Sequence, residues 1–258
     1  MRTSDAPPPF FSVVISTYNR RQVVTRCVES CLRQTFPSFE VVVVDDGSTD
    51  GTREALEARD DPKIRVVAHG ENRGINPSRH TGVTHSRGEW LVVVDSDWEL
   101  YPHSLQRLHD IIGGLPDGIR VVRSRLQWDD GHISPSFVPD APIGYEERIR
   151  WVEEEGGDDA ARCLHRDVFR STPYISDRRG AMEALYELNL ARNERARCTW
   201  RTCWAWSTPM PPIAIYGAAR GARWCPASSA RRRTCAGWPR PPSRSTGPLS
   251  ASTDLASS

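Results

Sequence analysis

The sequence predicts an α/β fold in which a mostly parallel central sheet is flanked by helices. Short runs rich in valine, at 11–16, 40–45 and 90–95, are typical of strands buried on both faces. Segments that favour helices separate these runs, as in successive βαβ units. Polar clusters follow the runs at the point where each strand ends.

The predicted elements alternate along the first half of the chain. A strand at 11–16 precedes a helix whose apolar stripe holds Val23, Val24, Cys27, Val28, Cys31 and Leu32. The following elements are a strand at 40–45, a helix at 52–59, a strand at 63–70 and a helix at 76–88. A strand at 90–95 and a fifth strand at 119–126 complete the predicted sheet.

The candidate binding residues lie at the ends of the predicted strands. Thr17-Tyr18-Asn19, Asp45-Asp46 and Asp95-Ser96-Asp97 each follow a predicted strand. Ligands of open parallel sheets bind in the crevice at the carboxyl ends of the strands. We therefore expect these side chains to face a binding site at the edge of the core.

The composition fits an ordinary globular protein, with 38% hydrophobic residues, 26% charged residues and a net charge of +1. No apolar run of 18 or more residues predicts a membrane span. The N-terminal MRTSDAPPPFF lacks the apolar core of a signal peptide, and residues 1–9 are expected to be disordered. A cytoplasmic chain with reduced thiols is expected, either free or peripheral at the inner face of the membrane.

The segment 198–258 differs in composition from the rest of the chain. It holds eight of the 34 basic residues and one of the 33 acidic residues, as well as five of the nine tryptophans. Aliphatic residues are rare there, as happens when a GC-rich gene is translated out of frame. We expect residues 196–258 to be an aberrant tail of low order; the alternative is a genuine disordered basic tail.

The Asp-x-Asp at 95–97 suggests a metal site. Mg²⁺ and Mn²⁺ prefer oxygen ligands, and often use one or two carboxylates together with substrate phosphates. Two aspartates at a strand end therefore fit a metal-diphosphate site. The alternative interpretation is a solvated loop with two turn-forming aspartates.

Three segments in order, FSVVISTYNR, VVVVDDGSTDGT and NRGINPSRHTGVTHSRGEWLVVVDSD, resemble the family 2 glycosyltransferases. The resemblance covers residues 10–130 well and 131–193 weakly. It implies the A-type glycosyltransferase fold and a nucleotide-sugar-dependent, inverting transfer assisted by Mn²⁺ or Mg²⁺. It divides 10–195 into a nucleotide-sugar-binding half, 10–130, and an acceptor-side half, 131–195.

The resemblance also implies roles for individual residues. It places Thr17 and Tyr18 at the nucleotide, Asp46 at a uracil edge with Asp45 beside it, and Asp95 at the ribose. Asp97 would hold the metal. Arg79 would contact the diphosphate, although Pro77, Ser78 and His80 depart from the family's usual Ala-Ala and Asn.

The catalytic base implied by the resemblance is Glu183. The segment RRGAMEALYELNLAR, at 178–192, resembles the helix that carries this carboxylate in the family, where aspartate is usual. Asp177 and Glu187 are the next candidates, and the alternative for Glu183 is an ordinary exposed helical glutamate.

Two further functions stay open at this point. A sugar-phosphate nucleotidyltransferase also uses an α/β sheet and metal-binding aspartates, but STYNRRQ lacks the glycines of its usual loop. A nucleotide-binding remnant without catalysis is the second. For a transferase, the expected partners are a nucleotide-sugar donor and a saccharide, lipid-linked or other hydroxyl acceptor, with no nucleic acid.

Overall fold

The computed structural model describes residues 7–128, 133–134, 146, 160–177, 183–193, 197–199 and 215–217. All of these residues belong to one compact unit.

Strands and helices alternate from residue 11 to residue 95, and a strand begins at residue 119, as predicted, whereas the short strand and the helix between residues 98 and 113 were not predicted. The elements up to residue 128 are β1 (Phe11–Thr17), α1 (Arg21–Leu32), β2 (Phe39–Asp45), α2 (Thr52–Glu57), β3 (Ile64–Ala68), α3 (Ile75–His85), β4 (Trp90–Asp95), β5 (Trp98–Leu100), α4 (Ser104–Gly113) and β6 (Ile119–Trp128). The later described elements are β7 (Ile133–Ser134), β8 (Ala160–His165), α5 (Arg166–Ser171), α6 (Glu183–Arg192), β9 (Arg197–Thr199) and β10 (Ile215–Gly217).

The first half of the sheet is parallel, in the order β3-β2-β1-β4. Its register aligns Thr17 with Asp45, and Ser16 with Asp95. The polar residues that follow the strands therefore lie side by side at one edge of the sheet. We call this the carboxyl edge.

Beyond β4 the sheet becomes mixed. β8 lies between β4 and β6 and runs antiparallel to both. The predicted fold class is confirmed, but β8 was not foreseen. Its sequence, AARCLH, contains no valine run, and its Arg162 is buried at 7% exposure, which hydrophobic periodicity does not detect.

The valine-rich strands are buried on both faces. Val13, Ile15 and Val43 belong to a cluster with the apolar stripe of α1. Val14 and Val93 belong to a second cluster, which includes residues of α3 and α6. Alternate residues of each strand thus fill two cores, which explains why the strands are apolar throughout.

Close packing of α3 against the sheet depends on Gly82. A Cβ at this position would lie 2.5 Å from Cγ1 of Val14 and 3.2 Å from Cγ2 of Val44. Because α3 crosses from the end of β3 to the start of β4, it begins at the carboxyl edge. The first turn of α3 is therefore close to the polar strand ends.

Two short strands come from the predicted tail. β9 pairs with β6, and β10 pairs with β6 and β5. Residues 200–214 and 218–258 lie outside the described residues, and the low order of the tail stays a prediction. Within the described residues, no helix is long and apolar enough to cross a membrane.

Candidate active site

Thr17 and Asp45 end neighbouring strands and are almost fully buried, at 4% and 1% exposure. The Oγ1 of Thr17 and the Oδ1 of Asp45 have no hydrogen-bond partner among the described residues. Tyr18, the next residue after β1, is 43% exposed. The predicted nucleotide-binding residues thus combine unsatisfied buried oxygens with an accessible aromatic ring.

The turns after β1 and β2 are tied together by hydrogen bonds. The backbone N–H of Asn19, which has a φ of 51°, donates to Oγ of Ser48 at 2.9 Å, and that of Thr49 donates to Oδ1 of Asn19 at 2.8 Å. Gly47 has a φ of 77°, and a Cβ there would lie 2.6 Å from the carbonyl carbon of Glu71. The sequence TYNR followed by DDGST therefore specifies one joined pair of turns.

Asp46 is buried and has internal partners for both carboxylate oxygens. Oδ1 accepts from the backbone N–H of Arg73 at 3.0 Å and lies 2.7 Å from Nδ1 of His69. Oδ2 accepts from the backbone N–H of Gly74 at 2.8 Å. Burial alone would raise the pKa of Asp46, but these hydrogen bonds outweigh it and lower the pKa below 3.8.

His69 extends the contact of Asp46 to α3, since its Nε2 lies 3.0 Å from Oγ1 of Thr81. Asp46 thus holds both the turn before α3 and the middle of that helix. Sequence reasoning did not select His69, which follows a strand without belonging to any motif. The uracil contact predicted for Asp46 stays a prediction, now for a carboxylate that already positions the neighbouring turn.

Arg79 and Asp95 form an ion pair. Arg79 is 2% exposed, and its Nη2 donates to Oδ1 of Asp95 at 2.6 Å. The side chain of Asp95 remains 34% exposed. The structure therefore brings together the predicted diphosphate contact and the predicted ribose contact at the carboxyl edge.

Asp97 pairs with a second arginine, Arg20. Nη1 of Arg20 lies 3.0 Å from Oδ2 of Asp97 and 3.3 Å from Oγ of Ser96. The Arg20 and Asp97 side chains are 45% and 34% exposed, so this pair can exchange partners at the surface. The sequence places Arg20 in the segment TYNR, but no motif assigns it a role.

The carboxylates of Asp95 and Asp97 fit a hard divalent cation. Both are partly exposed at one edge, and each already attracts a cationic guanidinium. The described residues contain no group of three or more His, Cys, Asp or Glu side chains arranged to hold a metal. A cation there would need further oxygens from water or from a diphosphate, which is how Mg²⁺ is commonly bound.

Glu183 is the first residue of α6, and its side chain lies outside the described residues. Glu187, one turn later, forms ion pairs with Arg123 of β6 and Arg162 of β8. Both arginines are buried, and Glu187 is 16% exposed. Glu187 therefore anchors α6 to the sheet, whereas Asp177, the other alternative base, is an exposed residue.

The architecture is that of the A-type glycosyltransferase fold, and sequence comparison agrees. A profile of glycosyl transferase family 2 matches residues 12–169, more than half of the chain. The chain therefore belongs to glycosyl transferase family 2. The resemblance seen in the three motifs is confirmed.

Curated relatives match over part of this chain. The succinoglycan biosynthesis protein ExoO of Rhizobium meliloti (strain 1021) is 39% identical over 100 residues, which cover 39% of this chain and 29% of the relative. The chondroitin synthase of Escherichia coli is 37% identical over 100 residues, covering 38% of this chain and 14% of the relative. The matched region thus spans less than a third of each relative.

Solved structures share the fold. TarS 1-349 of S. aureus, in complex with UDP-GlcNAc, superimposes with a TM-score of 0.63 at 22% identity, covering 82% of this chain and 59% of TarS 1-349. The mannosyltransferase PcManGT from Pyrobaculum calidifontis, in complex with GDP-Man and Mn²⁺, gives 0.54 at 19% identity, covering 83% of this chain and 59% of PcManGT.

Proposed function

We propose that this protein transfers a sugar from a nucleotide-diphospho-sugar, a UDP-sugar in the first instance, to an acceptor hydroxyl with inversion of configuration. The observation that carries the proposal is the carboxyl edge itself. There, Asp95 pairs with Arg79 and Asp97 pairs with Arg20, and the same edge holds buried polar atoms of Thr17 and Asp45 that have no partner among the described residues.

The nucleotide fits the β1 and β2 ends. Tyr18 offers an exposed ring on which a base can stack. Oδ1 of Asp45 has no partner among the described residues, and Asp46 is the next residue, so the two carboxylates are the candidates for accepting hydrogen bonds from a uracil or a ribose. UDP is favoured by the family resemblance, and TarS, a neighbour in fold, has been solved with UDP-GlcNAc.

The diphosphate fits between β4 and α3. Arg79 is fixed by packing and by Asp95, so its charge is already oriented before a ligand arrives. A divalent cation held by Asp97, with Asp95 adjacent, would supply Lewis-acid stabilisation of the leaving UDP. The ordered arginine and carboxylates reduce the reorganisation that the developing negative charge would otherwise require.

The acceptor hydroxyl requires a base on the opposite side of the sugar from the diphosphate. We assign this role to Glu183, which would take the hydroxyl's proton as its oxygen attacks C1. The anchoring of α6 by Glu187 supports the assignment, because a fixed helix can hold its first residue in one place. Attack on the face opposite UDP inverts the anomeric centre.

Saccharide acceptors, free or lipid-linked, suit this chain because relatives include a succinoglycan biosynthesis protein and a chondroitin synthase. Family membership favours transfer over the sugar-phosphate nucleotidyltransferase alternative. A nucleotide-binding remnant is the second candidate, because the unusual composition of residues 198–258 favours a chain that lacks part of its acceptor side.

The experiment is a thermal-shift screen of UDP-, GDP- and dTDP-sugars, each with and without Mn²⁺ or Mg²⁺, followed by assays of donor hydrolysis and transfer. We expect metal-dependent stabilisation by UDP-sugars above all, together with release of UDP. Metal-dependent binding without hydrolysis or transfer would favour the remnant, and stabilisation by none of these donors would contradict both functions.

A further inference from the structure

Asn76, the second residue of α3, is a buried amide. It is 1% exposed, and neither its Nδ2 nor its Oδ1 has a partner among the described residues. Buried polar side chains are nearly always satisfied, because an unpaired donor or acceptor keeps the cost of leaving water. A side chain with both groups unpaired is therefore expected to serve a ligand.

The helix geometry puts Asn76 on the ligand side of α3. Residues three apart on a helix share a face, so Asn76 lies on the face of Arg79, whose guanidinium contacts Asp95. Val83, one further turn along the same stripe, packs in the core with Val14 and Val93. Because α3 begins at the carboxyl edge, Asn76 lies about one turn, roughly 5 Å, nearer that edge than Arg79.

Other residues at this edge also have buried polar atoms without hydrogen-bond partners among the described residues. Oγ1 of Thr17 and Oδ1 of Asp45 are also buried, and they too lack partners among the described residues. Unsatisfied groups also occur elsewhere in the described residues, but here they adjoin turns that are otherwise densely hydrogen-bonded, which is typical of a site organised for binding rather than for stability.

The chemistry of the amide limits the ligand group. A phosphate only accepts hydrogen bonds, and would leave Oδ1 of Asn76 unpaired. A hydroxyl both donates and accepts, and two neighbouring hydroxyls can satisfy Nδ2 and Oδ1 together. We propose that Asn76 is a further donor-binding residue that hydrogen-bonds to neighbouring hydroxyls of the nucleotide sugar. This inference rests on the proposed function.

Neighbouring hydroxyls occur on the ribose and on the transferred sugar, and binding measurements distinguish the two sources. The test compares wild type with Asn76→Leu, which has nearly the same shape, and with Asn76→Ala, which avoids any clash. Asn189→Leu, on the exposed surface of α6, is the matched control. The probes are UDP-GlcNAc, UDP-glucose, UDP and 2′-deoxy-UDP, each with Mn²⁺.

We expect Asn76→Leu to melt at or above the wild-type temperature without ligand, since it removes an unsatisfied amide, and to bind UDP-sugars about tenfold more weakly. If the variant loses affinity for UDP but not for 2′-deoxy-UDP, Asn76 contacts the ribose hydroxyls. If the variant loses affinity only for the UDP-sugars, Asn76 contacts hydroxyls of the transferred sugar.

Unchanged affinity of both Asn76 variants for every probe that wild type binds would overturn the inference and leave the proposed function standing. A wild-type chain that binds none of the probes would overturn the proposed function and, with it, this inference. A fall in melting temperature with full affinity would show that the amide supports the fold instead.

Discussion

Nη1 of Arg20 lies 3.0 Å from Oδ2 of Asp97, so an arginine holds the carboxylate expected to bind the metal. Arg20 follows β1 and Asp97 follows β4, and these strands are neighbours in the sheet. The guanidinium places positive charge where a divalent cation is expected. A metal that binds Asp97 must therefore displace Arg20 or share the carboxylate with it.

Replacing Arg20 by alanine is expected to strengthen Mn²⁺ binding in the absence of nucleotide. Exposed ion pairs contribute about 0.2–1 kcal/mol, so the gain should be roughly 1.5- to 5-fold, measured by calorimetric titration with MnCl₂. Arg53→Ala, which removes an exposed pair with Glu57 on α2, is the control. Unchanged or weaker Mn²⁺ binding in Arg20→Ala would show that the two cations do not compete.

The hydrogen bonds to Asp46 predict a pH dependence of stability. Burial raises the folded-state pKa of Asp46, but hydrogen bonds from Arg73, His69, Gly74 and Ser78 outweigh it and hold the pKa below its usual value of 3.8. Ionised Asp46 therefore stabilises the fold at pH values above about 3.8. This contribution is lost as the pH falls through the lower folded-state pKa.

Asp46→Asn should accordingly have a lower free energy of unfolding than wild type at pH 7. The difference between the two proteins should become smaller below pH 4. Urea unfolding at a series of pH values measures it, with Asp117→Asn, an exposed residue in the turn before β6, as the control. A gap that stays constant down to the lowest accessible pH would mean that the charge of Asp46 contributes nothing.

Glu183 and Glu187 lie on one helix but should respond differently to the same substitution. Glu183→Gln should lower turnover by about 100-fold or more while leaving donor affinity and melting temperature unchanged, because only proton transfer is lost. Glu187→Gln should destabilise the fold by about 3–5 kcal/mol, because Arg123 and Arg162 lose their shared carboxylate. Full turnover in Glu183→Gln would assign the base to another carboxylate.

The tail can be tested without any knowledge of the substrate. If residues 196–258 are of low order, limited proteolysis should leave a core that ends near residue 195. Resequencing of the gene tests the frameshift that the composition suggests. An intact reading frame through residue 258, or a protease-resistant tail with protected tryptophans, would contradict the respective prediction.

Periodicity predicted the parallel half of the sheet, because strands such as VVVVD and WLVVVD are buried on both faces. It could not predict β8, whose buried Arg162 is compensated by Glu187, 25 residues later. This ion pair forms only when distant parts of the chain come together, so a local sequence pattern cannot predict it. The antiparallel insertion next to β4 was missed for that reason.

The strand-end motifs likewise predicted which residues gather at the carboxyl edge, since Thr17, Asp45 and Asp95 are adjacent in the register. They could not show that Asp46 is held by the turn before α3, or that Arg20 contacts Asp97. The burial of Asn76 also became visible only once α3 was packed on the sheet.

The most direct test of the metal-diphosphate site measures donor affinity with and without Mn²⁺ in wild type, Asp97→Ala and Asp117→Ala, using UDP-GlcNAc and UDP-glucose. We expect Mn²⁺ to strengthen binding to wild type and to Asp117→Ala, and we expect Asp97→Ala to lose this dependence and to bind the donor about tenfold or more weakly. Equal affinity and equal Mn²⁺ dependence in Asp97→Ala would contradict a metal-diphosphate site at the carboxyl edge.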